Sequence, residues 1–150
     1  MRSYQYPADF TPAEEGGFVI TFPDLPEAIT QGETIQDSIE EASDALDEAI
    51  IGRINTGDDI PAASPVRHGQ YLIPVPAQSA VKAALYEEIK GQGVSKVELA
   101  ARLGIDEKEV RRLLNPHHPS KLPRIAEILE RVGKRIVVAI EDEKEMTAHA

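Results

Sequence analysis

The sequence contains no cysteine. That excludes a disulfide framework, a thiolate nucleophile and any zinc site built on thiolates. No apolar run approaches the roughly 18 residues of a membrane-spanning helix. The opening residues, MRSYQYPADF, lack the apolar stretch of a secretory signal. A cytoplasmic, soluble protein is the expectation. There is no internal repeat and no low-complexity segment. Positive charge is also scarce at the front. Residues 1–79 hold only Arg2, Arg53 and Arg67 against fourteen acidic residues, a net of −11.

The remaining residues, 80–150, hold thirteen basic and twelve acidic residues, a net of +1. Within them, residues 95–135 hold ten basic and six acidic, a net of +4. Such asymmetry points to two segments with different electrostatic partners. The plainer alternative is that the acids only keep the first half in solution. A hydrophobic content of 41% argues for a folded chain, and 150 residues can bury one ordinary core or two small ones.

Residues 2–10 read as an edge strand, because Pro7 is tolerated at an edge and not in a central strand. Glu15-Gly16-Gly17 is turn chemistry, and Phe18–Phe22 reads as the second arm of a hairpin. Pro23 and Pro26 end that arm, and AITQGE offers a brief third strand. Thr34 is a helix cap, with Asp37 at the reciprocal capping-box position. Ile35, Ile39, Ala42, Leu46, Ala49, Ile50 and Ile54 then recur at helical spacing, with acids over much of the rest. Gly57 and Pro61 stop the helix, and Tyr71–Val75 reads as a last strand. The order βββαβ over residues 1–76 is an α+β domain.

Residues 77–150 change character. Val81, Leu85 and Ile89 form one helical stripe that ends at Gly91 and Gly93. Ser95 can cap a helix whose inner positions are Val97, Ala100 and Leu103. Gly104 ends it, Ile105 plugs the turn, and Asp106 caps the next helix with Glu109 at the capping-box position. Val110, Leu113 and Leu114 face inward. Ala100 allows two helices to cross closely, and Gly104 allows a positive φ. This is the pattern of a helix-turn-helix.

Its second helix would present Glu107, Lys108, Arg111, Arg112 and Asn115 to the major groove, with Ser95, Lys96 and Lys121 placed for phosphates. A bland helical bundle with a solvated charged face is the alternative. One such helix reads few base pairs, so the motif usually works as a two-fold dimer. Another helix carries Ile125, Ile128, Leu129 and Val132, and RIVVAI then reads as a strand. Ile136, Val138 and Ile140 of that strand are candidates for pairing with a second copy, or for folding back on the bundle. EDEKEMTAHA reads as a loose tail.

The stretch EGGFVITFPDLPEAITQGETIQDSIEEASDAL resembles the HicB antitoxins of type II toxin–antitoxin systems. Gly16, Gly17, Phe18, Phe22, Pro23, Asp24, Pro26, Gln31, Gly32, Glu33, Thr34, Glu41, Ala42 and Ala45 match the family pattern in order. Glu27-Ala28 departs from it, where many members have Gly and a small or polar residue. The second half, with RLLNPHHPSK, is similar to the branch that carries a helix-turn-helix of the Xre/Cro type. The resemblance implies a partial ribonuclease-H-like fold in the first domain. It also implies that this domain blocks HicA, a small basic messenger-RNA-cleaving toxin with a double-stranded-RNA-binding-like fold and a catalytic His. The second domain would bind the operon's own promoter as a dimer or larger complex.

Tyr4, Tyr6, Phe18, Asp24, Glu27, Glu41 and Asp44 are the candidate toxin contacts. Acids on the first domain would suit a basic ribonuclease and imitate the phosphates that it would otherwise hold. Two rival functions remain at this level. A nuclease could cluster Asp9, Asp24 and Glu41 around a metal, although the four histidines give no catalytic pattern. A repressor could sense a small molecule through the first domain. The preferred expectation is a non-enzymatic protein with no cofactor and no metal.

Overall fold

The computed structural model of the chain describes residues 1–142 and 148–150. Among them the elements run β1 (Gln5–Pro12), β2 (Phe18–Thr21), β3 (Ile29–Gly32), α1 (Ile35–Thr56), β4 (Tyr71–Pro74), α2 (Ala77–Gln92), α3 (Lys96–Leu103), α4 (Glu107–Leu114) and α5 (Leu122–Arg131). The class is α+β, with one antiparallel sheet ordered β3-β2-β1-β4. The chain divides into two compact units. Met1–Gly52, Pro61–Pro76 and Ile140–Ala150 form the first, and Arg53–Ile60 with Ala77–Ala139 form the second.

In the first unit β1 is not an edge strand, as Pro7 suggested, but an interior one. The reason lies in the ladder. Val75 donates its backbone N–H to the Tyr4 carbonyl at 2.9 Å. Alternation then aims the backbone groups of Tyr4, Tyr6 and Ala8 at β4 and those of Pro7 the other way. On that side the pairing with β2 begins only at Asp9, opposite Thr21. The donor that proline lacks therefore faces no ladder partner, and the strand keeps its central place.

The register puts Tyr6, Ala8, Ile20 and Ile73 on one sheet face. All four are buried, as are Ala42, Leu46, Ala49 and Ile50 at helical spacing on α1, whereas Ile35, expected on the same stripe, is exposed and Ser38 is the buried residue of that first turn. The Thr34 hydroxyl accepts the Asp37 backbone N–H at 3.1 Å and so caps that helix. The β3-to-α1 junction needs glycine for space. A Cβ on Gly32 would stand 2.5 Å from the Ser38 Oγ and 2.7 Å from its Cα and N. Across the hairpin, a Cβ on Gly17 would stand 2.5 Å from the Gly32 carbonyl oxygen. The Gly-Gly and Gln-Gly-Glu-Thr pieces of the sequence are thus two sides of one close approach.

The second unit has its own core. Leu85 and Ile89 of α2, Leu99 and Ala100 of α3, Val110 and Leu113 of α4, and Ile125, Ile128 and Leu129 of α5 are buried together. Val97, expected inside, is 60% exposed, and Leu99 takes the inner position. The rest of the expected stripe holds, with Ala100 buried and Leu103 packed against this core. Ser95 caps α3 by accepting the Glu98 N–H at 3.1 Å. Gly104 closes it with φ 65°, and Asp106 caps α4 by accepting the Lys108 N–H at 2.9 Å. Glu109 does not complete a capping box with Asp106. Its carboxylate takes the Arg124 guanidinium of α5 instead.

Residues 134–140 form no strand within the single chain. Ile136 packs against the second core, while Val137, Val138 and Ile140 are exposed, the last by 91%. The tail is not wholly loose. The backbone of His149 exchanges hydrogen bonds with Gly69 and Gln70, at 2.6 and 2.8 Å. The rest of the expected loose tail, residues 143–147, lies outside the described residues.

Two glycines should respond differently to alanine. Gly32→Ala forces backbone apart and should destabilise the first unit by about 2–3 kcal/mol. Gly104→Ala meets no atom within 4 Å, so only its left-handed φ is at stake, a cost of about 1–2 kcal/mol. Urea unfolding, followed separately for each unit by amide NMR signals, checks the ranking. Equal losses at the two positions would contradict it.

Candidate functional site

Two places in the chain concentrate charge on a built surface. The first is a groove of about 420 Å³ lined by Ala13, Glu15, Gly16, Phe18, Val19, Gln31, Gly32, Glu33, Asp37, Glu40 and Glu41. The glycine approach sets its floor. The hairpin turn brings Glu15 to one rim, closed by the Ala13 N–H on the Gly17 carbonyl at 3.0 Å. The first turns of α1 bring Asp37, Glu40 and Glu41 to the other. Phe18 lies on the sheet, tilted against Phe10 at 6.5 Å, and Phe10 stacks on Tyr71 at 4.2 Å. Five carboxylates around an aromatic ring make a surface that favours a cationic partner.

The expected partner contacts scatter around this groove. Phe18 and Glu41 line it. Asp44 is exposed one turn further along the acidic face of α1. Glu27 is exposed in the loop before β3. Asp24 is engaged internally, where its carboxylate accepts the Ser64 backbone N–H at 2.9 Å and the Ser64 hydroxyl. Tyr4 lies under the Arg2 guanidinium at 4.7 Å. Tyr6 is fully buried, and its hydroxyl donates to the Pro61 carbonyl at 2.6 Å. Such a ring fills the core and meets no partner. Glu15, Glu33, Asp37 and Glu40 were not singled out as partner contacts by the sequence. Only the hairpin's closure onto α1 shows that they share a rim with Glu41.

The acids imagined as a metal cluster do not come together. Asp9 accepts from the Gln70 amide at 3.1 Å, Asp24 holds Ser64, and Glu41 lines the groove. Among the described residues no group of three or more His, Asp or Glu is arranged to hold a metal ion.

The second place is α4 with its flanks. Arg111 is 61% exposed at its side chain and forms an i,i+4 ion pair with Glu107. Lys108 and Arg112 are exposed, and Arg112 lies near enough to Glu109 for its charge to be felt there. The Asn115 carboxamide oxygen accepts the His117 backbone N–H at 2.9 Å, which shapes the loop after α4 and leaves the amide group outward. Lys96 and Lys121 are exposed at the starts of α3 and α5. Ser95, named as a phosphate contact, spends its hydroxyl oxygen on the cap of α3.

The face is braced from behind. Arg124 bonds both Glu109 and Glu127, and its guanidinium holds the Glu109 carboxyl below the usual carboxylate range. Lys82 of α2 was passed over in the sequence, since a lone lysine on a helix reads as solvated. It is buried, and its ammonium donates to the Arg112 carbonyl at 2.7 Å and the Ser120 hydroxyl at 2.8 Å.

Residues 5–84 match the family model described as the HicB-like antitoxin of bacterial toxin–antitoxin systems. Similar curated proteins include antitoxin HicB 1 of Photorhabdus laumondii subsp. laumondii, 33% identical over 94% of this chain and 90% of that one. Antitoxin HicB of Escherichia coli K12 is 36% identical over 88% of this chain and 96% of its own length. Antitoxin HicB of Pseudomonas fluorescens is 30% identical over 85% and 88%. With its hairpin glycines, acidic rim and basic second unit accounted for, the chain belongs to the HicB-like antitoxins of bacterial toxin–antitoxin systems.

Proposed function

We propose that this antitoxin blocks a small, basic, messenger-RNA-cleaving toxin of the HicA type through residues 1–76, read as a partial ribonuclease-H-like domain. Residues 77–150 would repress its own operon as a dimeric helix-turn-helix. One observation carries the reading: surfaces of opposite sign are built over separate cores. The acidic groove supports capture of a cationic, nucleic-acid-handling protein. Complementary charge raises the association rate and mimics the phosphates such a toxin grips. The antitoxin role is a non-enzymatic one.

For DNA, the support is the joint of α3 and α4. A capped helix, a left-handed glycine, a second capped helix and a buried Ala100 at the crossing fulfil the packing demands of the motif. Lys108 and Arg112 then point at the groove of a duplex, and Arg111 joins them by giving up Glu107. The exposed segment 137–140 supports the dimer, with Ile136 packed back on its own core. Val138 and Ile140 are open to a copy of themselves, and such an exposed β-branched segment can pair with its copy as a strand.

Arg112→Ala should weaken binding to the chain's own promoter duplex by about tenfold. Arg111→Ala should cost less, because its cation is already engaged. Neither should affect rescue of growth from the toxin. Glu40→Lys with Glu41→Lys should abolish rescue and leave promoter binding intact. Loss of both activities in any one variant would contradict separable surfaces, and a promoter affinity independent of salt would remove the phosphate contacts. Val138→Asp should shift the sedimentation of the full chain toward monomer. An unchanged profile would refute the strand-paired dimer.

A further inference from the structure

We infer that buried Lys82 and half-buried Gln78 of α2 form a clamp that sets the reading end of α4, making Lys82 a positioning residue for DNA recognition rather than a contact. This rests on the DNA-binding reading above. The two side chains stand one helical turn apart on the same face of α2. Gln78 treats Ser120 as a strand would. Its amide nitrogen donates to the Ser120 carbonyl at 3.1 Å, and its amide oxygen accepts the Ser120 N–H at 2.9 Å. Lys82 reaches past it to the Ser120 hydroxyl and to the Arg112 carbonyl, in the last turn of α4. That carbonyl also accepts the Asn115 N–H at 3.2 Å. The clamp therefore spans the end of α4 and the loop Asn115–Ser120, the segment that carries Arg112, Asn115, His117 and His118.

A cation in this place has a cost that packing does not explain. Lys82 is 1% exposed, and burial pulls its ammonium down to about 8. Desolvation is the cause, and no carboxylate offsets it. Methionine has nearly the same shape and would fill the space without desolvating a charge. What methionine cannot do is donate to a helix C-terminus, where the carbonyl dipoles favour a cation. The buried ammonium is thus suited to fixing a helix end and ill suited to simple core filling. Direct contact with DNA is ruled out by its burial.

The test uses the full chain with Lys82→Met and, separately, Ser120→Ala. The probes are a duplex carrying the promoter of its own gene and a scrambled duplex. Lys82→Met should fold with undiminished thermal stability. Its promoter affinity should fall by about tenfold or more, the equivalent of one misplaced base contact. Scrambled-duplex affinity and the salt slope should not change, because no phosphate contact is lost. Amide hydrogen exchange at residues 115–120 should accelerate in both variants, with or without DNA. Toxin neutralisation should be unaffected.

Full promoter affinity in folded Lys82→Met would overturn the inference. So would a salt slope lowered by about one, which marks a lost phosphate contact. Should Lys82→Met not fold, Ser120→Ala decides: wild-type exchange at residues 115–120 together with wild-type promoter affinity overturns the clamp. Failure of the wild-type chain to prefer its promoter would instead sink the DNA-binding reading, while the exchange measurement still judges the clamp.

Discussion

Tyr6, Ile20, Leu46 and Ile73 are buried in the first unit, and Leu85, Val110, Ile125 and Ile128 in the second. That separation is the constraint on which the rest depends. Residues 1–79 hold fourteen acids, and residues 95–135 hold ten of the basic residues. Each core carries a charged surface of its own. The first collects carboxylates around Phe18, and the second exposes Lys108, Arg111 and Arg112.

Each surface also depends on small residues that permit close approach. Gly17 and Gly32 let the hairpin and the start of α1 come together, and only then do Glu15 and Glu41 face one groove. Between α3 and α4, buried Ala100 is the small residue of the contact, and Gly104 supplies the left-handed turn. In both cases the charged side chains supply the chemistry and the small ones supply the geometry. The inward brace behind α4, from Arg124 on Glu109 and Lys82 on Arg112, turns a short helix into a fixed one. An eight-residue helix has too few internal hydrogen bonds to hold its own position.

Much of this was legible in the sequence where the signal is local. Thr34, Ser95 and Asp106 cap helices as their side chains suggest, and Ala42, Leu46, Ala49 and Ile50 of the α1 stripe are buried as their spacing suggests, while Ile35 at its start is exposed. The misreadings are non-local. Pro7 signalled an edge because a sequence does not say where a neighbouring strand stops. Tyr6 looked like a partner contact because its hydroxyl's acceptor, Pro61, is fifty-five residues away. Val97 and Leu99 are both apolar, and only the packing of α3 on the neighbouring helices shows which turns inward. Glu109 looked like a cap because Arg124, its actual partner, is fifteen residues on. RIVVAI has strand character without a strand partner in its own chain. Lys82 was invisible for the same reason: a lysine is read as solvent-facing unless the carbonyl waiting for it is seen.

The central claim is that two partners meet two non-overlapping surfaces. Amide hydrogen exchange of the full chain measures it most directly, recorded alone, with the toxin, and with a promoter duplex. Toxin should protect the groove segments, residues 13–19 and 31–48, and leave α4 untouched. The duplex should protect residues 95–121 and leave the groove untouched. Protection of one shared segment by both partners, or no protection of α4 by DNA, would contradict the account.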